Sequence, residues 1–174
     1  MNIREELLKE KNHSKTHALK ISVFACSSPK YFKELMNCFL STDYRLAQRA
    51  AWSVSWATKN NTDLIYPYIK NLIEQLPRKD VHNAVKRNSV RILQQIKIPE
   101  NLHGELMNNC FNFIETPSTP IAIKAFSLTI LFNLSNFYPE IKNELKLFIE
   151  EKWNNETAAF KSHGKKILKS LNAS

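Results

Sequence analysis

Glycine is nearly missing from this chain: Gly104 and Gly164 are the only two in 174 residues, and they lie far apart. Loops that cradle phosphates need several glycines close together, so that backbone amides can approach the ligand. A P-loop and a dinucleotide fingerprint are therefore excluded. Cysteine is also scarce. Cys26, Cys38 and Cys110 are odd in number and widely spaced, which predicts no disulfide framework and no zinc site but buried thiols in a reducing, cytoplasmic setting. The histidines His13, His17, His82, His103 and His163 are scattered. His13 and His17 stand one helical turn apart, where surface positions near a helix junction are expected rather than a metal pair. No Gly-x-Ser-x-Gly elbow is present, and the side chains of Glu150 and Glu151 diverge on a helix. The most apolar stretch, Ile121 to Tyr138, is interrupted by Lys124 and is short for a membrane span. Met1-Asn2-Ile3-Arg4-Glu5-Glu6 places acids where a secretory leader would be basic. The expectation is a non-catalytic protein with no cofactor, no metal and no membrane segment.

What the chain does have is a repeat. Ala47-Gln48-Arg49-Ala50-Ala51-Trp52-Ser53-Val54 recurs as Val85 to Ile92, as Ile123 to Ile130 and as Phe160 to Ile167. Anchored on Gln48, Lys86, Lys124 and Lys161, the steps are 38, 38 and 37 residues. A fixed period of this length marks stacked supersecondary units. Three residues after each anchor stands a small side chain: Ala51, Ser89, Ser127, Gly164. Six after it stands a β-branched one: Val54, Ile92, Ile130, Ile167. At about 100° per residue these columns share one helix face, which is the expected core. Lys15, Ala18 and Ile21 supply a fainter earlier copy. A second amphipathic helix precedes each copy, with Leu35, Leu72, Cys110 and Leu147 in one column and Met36, Ile73, Phe111 and Phe148 in the next. Turn and cap residues fall between the two helices: Ser41-Thr42-Asp43, Pro77 to Asp80, Pro117 to Pro120 and Asn154 to Thr157. Neither sustained alternation nor Asn-Gly or Asp-Gly turns argue for strands.

This pattern resembles the HEAT-repeat family and, more loosely, the armadillo-like α-solenoids. The family places an aliphatic-basic pair early in the second helix, a small residue three positions on, and an Asp six before the basic residue. Val85-Lys86, Ser89 and Asp80 match in full. Elsewhere Thr42, Ser118 and Asn155 replace the Asp, and Gln48 replaces the basic residue. The resemblance implies an all-α, right-handed α-α superhelix of four to five helix pairs. It covers residues 1–174 as a single domain with units near 1–28, 29–61, 62–98, 99–138 and 139–174. Such a scaffold hosts many unrelated functions, so function must be argued from particular residues.

The net charge of +9 suits either an anionic partner or a merely solvated lysine coat. Arginine is more informative. Four of the six arginines, Arg45, Arg49, Arg87 and Arg91, fall opposite the core columns of successive second helices, bordered by Trp56 and Phe132, with Lys166 in the last unit. In HEAT-like solenoids that side is concave. Guanidinium groups there would grip carboxylate or phosphate in bidentate geometry, or else pair with acids of a neighbouring unit as structural ladder residues. Trp52 is expected to pack at the core edge. On the fourth second-helix, Ala125, Thr129 and Phe132 leave an apolar face that is either an interface or covered by the chain itself. The leading expectation is a binding or scaffold module holding an acidic protein or peptide partner. The alternative is a nucleic-acid-binding protein similar to the HEAT-like-repeat alkylpurine DNA glycosylases, gripping the phosphate backbone in a basic groove. No Asp stands where catalysis on DNA would need one, since Asp43 and Asp80 lie at turns as expected helix caps.

Overall fold

The computed structural model describes residues 1–10 and 13–172, and every regular element among them is helical. Ten α-helices form five successive pairs: α1 (Ile3–Lys9) with α2 (Lys15–Cys26), α3 (Pro29–Phe39) with α4 (Tyr44–Asn60), α5 (Ile69–Glu74) with α6 (Asn83–Leu93), α7 (His103–Glu115) with α8 (Ile121–Leu134), and α9 (Ile141–Lys152) with α10 (Ala158–Asn172). The architecture is thus an α-solenoid of helix pairs. The helices gather into two compact bodies, Met1–Ile92 and Leu93–Ser174. None of the described helices is long and apolar enough to cross a membrane.

Local chemistry sets the helix ends. Ser14 accepts from the His17 amide, Ser28 accepts from the Lys30 amide with Pro29 opening α3, and Asp43 accepts from the Leu46 amide at 3.1 Å. Each supplies an oxygen to an amide that has no partner within its helix. Asp80 differs from its expected capping role: its carboxylate takes two hydrogen bonds from Arg78. The amide of Ala84 at the start of α6 donates instead to His82 Nδ1, at 3.0 Å. The third pair is also irregular, because Pro67 cannot donate a backbone hydrogen bond. The segment Thr62–Tyr68 accordingly winds as a 3-10 helix before α5.

The core columns of the second helices lie where their period puts them. Ala18, Ala51, Ser89 and Ser127 are fully buried, as are Ile21 and Val54, and Ile92, Ile130 and Ile167 are nearly so. The small column exists because neighbouring helices come close. At Gly164 an added Cβ would lie 2.8 Å from Ile149 Cγ2 and 3.4 Å from the Trp153 ring, so anything larger overpacks α9 against α10. Gln75, just past α5, donates to the Ser89 hydroxyl at 2.7 Å, and that hydroxyl donates to the Val85 carbonyl.

The first-helix column holds for Leu35, Leu72 and Cys110 but fails at Leu147, which is 65% exposed. Helix α9 buries Ile141, Leu145 and Ile149 instead. These repeat the spacing of Leu106, Cys110 and Ile114 on α7, so the last copy runs two residues out of column. Phe111 and Phe148 are half-buried rather than core. The thiols of Cys38 and Cys110 are buried, and burial pushes Cys110 up to about 12. In the C-terminal body His103 is clamped between the Ile98 carbonyl and the Tyr138 hydroxyl, at 2.9 and 3.2 Å.

Candidate functional site

Two second-helices of the N-terminal body, α4 and α6, shape a polar concavity. Gln48 and Trp52 stand four residues apart on α4. Ala84, Arg87 and Asn88 stand three and four apart on α6. Each set therefore projects from one side of its helix. Together with Arg49 and His13 they line a concavity of about 450 Å³. Arg87 and Gln48 are exposed, whereas Trp52 and His13 are half-buried. His13 meets Trp52 edge-on at 5.9 Å between ring centroids. Asn88 is buried, and its amide donates to the Ala84 carbonyl at 2.8 Å.

The electrostatics of this wall are one-sided. Burial comes first in lowering the Arg49 pKa, followed by the charge of Arg45, with Glu10 opposing. His13 is pushed down by burial, then by His17 and Arg49. Lys86, beside Arg87, is lowered by burial, with Asp80 opposing. Glu10 is engaged by His17 Nδ1 at 2.8 Å. Arg87 makes no hydrogen bond or ion pair with any described residue. The lining residues include two guanidinium groups, Arg49 and Arg87, and no carboxylate.

The residues expected to form the binding strip have different fates. Arg45 is exposed, and Arg91 is half-buried. Arg49 departs from the expectation of an open position: it is only 7% exposed, and its Nη1 donates to the Leu7 carbonyl at 2.8 Å. The cause is α1, which packs on α4 and presents a last-turn carbonyl that no helical amide can reach. A cation at a helix C-terminus is favourable there. Ser53, one turn further along, is fully buried too. Trp56 is half-buried between the ammonium groups of Lys15 and Lys59, each 5.4 Å from its ring centroid.

In the C-terminal body Lys166 is exposed, but Phe132 is half-buried rather than an open border. Helix α8 is apolar on nearly every side and is covered by α7, α9 and α10, as an all-round apolar helix must be. Lys124, the anchor of that copy, is a structural ladder residue, paired with Glu156 at 2.8 Å, with both side chains mostly buried.

The residues that periodicity overlooked are His13, Gln48, Trp52 and Asn88. The expected strip lies opposite the core face, whereas the concavity lies at and around the anchor columns and takes only Arg49 and Arg87 from that strip. The signal was present in Gln48: an uncharged, exposed side chain where the other copies carry lysine.

The HEAT repeat domain family model matches residues 3–171 of this chain. The chain belongs to the HEAT repeat domain family. Such a domain is in general a protein-interaction scaffold. Comparison with curated proteins and with solved structures returns no match.

Proposed function

We propose that this HEAT repeat domain is a non-catalytic module that holds an acidic protein or peptide partner against the cationic concavity between α4 and α6. The observation that carries this reading is Arg87, exposed, without a partner among the described residues, and opening on a wall that already includes Arg49. A guanidinium in that position offers two parallel donors to a carboxylate, and the indole of Trp52 adds an apolar surface beside it.

The test is a titration of polyglutamate, single-stranded DNA and duplex DNA at low and moderate salt, with wild type and Arg87→Gln. Polyglutamate should bind at both salt levels, and Arg87→Gln should weaken it by at least roughly tenfold, as loss of a charge-assisted contact implies. Tighter binding of DNA, falling steeply with salt by counterion release, would replace this reading with a phosphate-backbone binder. Failure of polyglutamate to bind would end it.

A further inference from the structure

The concavity has a shape as well as a charge, and the shape restricts what enters it. Ala84 is the smallest side chain of the α6 set, one turn before Arg87 and Asn88. With the guanidinium of Arg87 and the indole of Trp52 on α4 it lines the concavity, and it takes up little of that space itself. The His13 ring rests edge-on against Trp52, so the indole has a fixed neighbour on one side. A volume of about 450 Å³ falls in the range of pockets for small groups, roughly 300–1,000 Å³. That is room for a few side chains rather than for a folded surface. Gln48 and Arg87, both exposed, set the polar chemistry of the mouth.

Resting on the reading above, we infer that the concavity is an anchor pocket for an extended acidic peptide with an aromatic residue next to the acid. The oxyanion sits on Arg87 with the Gln48 amide donating beside it. The neighbouring flat side chain fills the space over Ala84 against Trp52. Arg49, with Nη1 committed to the Leu7 carbonyl, adds positive charge to the wall. A carboxylate and a phosphoryl group share the paired acceptors this arrangement needs.

The experiment is calorimetry on the full chain with end-blocked hexapeptides whose central pair is Glu-Phe, Gln-Phe, Glu-Gly or phosphoserine-Phe. The Glu-Phe or the phosphoserine-Phe peptide should bind, and comparing the two identifies the oxyanion. Loss of either the anion or the aromatic ring should weaken binding by roughly tenfold. Ala84→Leu pushes a branched side chain into the concavity without altering any charge and should weaken peptide binding by at least roughly tenfold, while Lys33→Gln, exposed on α3, should leave it unchanged. If Ala84→Leu lowers the melting temperature, Gln48→Glu at the exposed mouth decides instead, by removing the preference for Glu-Phe over Gln-Phe. Wild-type peptide affinity in a folded Ala84→Leu, or an unaltered preference in Gln48→Glu, would overturn the anchor pocket. Binding of polyglutamate but of none of the hexapeptides would do the same. In each of these cases the acidic-partner reading would still stand on its Arg87 dependence.

Discussion

Helices α4 and α10 occupy the same place in the repeat, yet the face opposite their core columns meets opposite surroundings. On α10 the four positions Ala158, Ser162, Lys166 and Lys169 are all exposed. On α4 the matching positions are Arg45, Arg49, Ser53 and Trp56, and only Arg45 is exposed. Helical periodicity is the same in both. What differs is that α1 and α2 pack across α4, so a side chain pointing away from one core lands in a second one. The core face of a repeat is thus an intrinsic property of the helix, whereas its outer face belongs to whatever lies beside it.

The comparison breaks most sharply at the column shared by Ser53 and Lys166. Replacing Ser53 with Lys would bury an unpaired ammonium, a situation costing roughly 3–5 kcal/mol, and denaturant unfolding should register the loss. The reverse change on the open helix, Lys166→Ser, should stay within about 0.5 kcal/mol of wild type. Equal effects at the two positions would show that α4 and α10 have equivalent outer faces.

A smaller effect is expected at Arg49. Arg49→Gln removes the donor from the Leu7 carbonyl and leaves a buried acceptor unsatisfied, at a cost of about 1–3 kcal/mol. Thermal unfolding checks this. Hydrogen exchange should localise the loosening to α1.

The smallest effect concerns pH. His13 has a folded-state pKa below its ordinary 6.5, chiefly through burial, so the folded state resists protonation. The stability this provides is present above pH 6.5 and is lost as pH falls from there through the folded-state value. Melting temperatures at about pH 7.5 and about pH 5.5 should therefore differ more for wild type than for His13→Gln.

Most of the scaffold could be read from spacing alone, because stacked units must bury the same columns each time. Ala51, Ser89, Ser127 and Gly164 follow from position alone; all are buried, and at Gly164 the neighbouring helix comes too close for a Cβ. Leu147 escaped because a two-residue shift in a first helix leaves the second helix in step, so the anchor columns carry no trace of it. Arg49 and Ser53 escaped for a different reason. What covers them is α1 and α2, whose own copy of the repeat is the faintest in the chain, and no periodicity within α4 can report a neighbour. His13 and Trp52 could not be brought together from sequence, since His13 precedes α2 and belongs to no periodic column.

The bond from Arg49 to Leu7 spans 42 residues, and that span sets an order of assembly. In a solenoid most contacts join neighbouring elements and form early, because closing a short loop costs little entropy. Helix α1 leaves the ribosome ahead of α2, α3 and α4, but at seven residues it is too short to persist alone in water. The guanidinium that completes its last turn arrives only with α4. Helix α1 can meet α2 and α3 as soon as they form, yet the bond that completes its last turn closes only with α4, so that end of the helix is among the last parts of its body to be fastened.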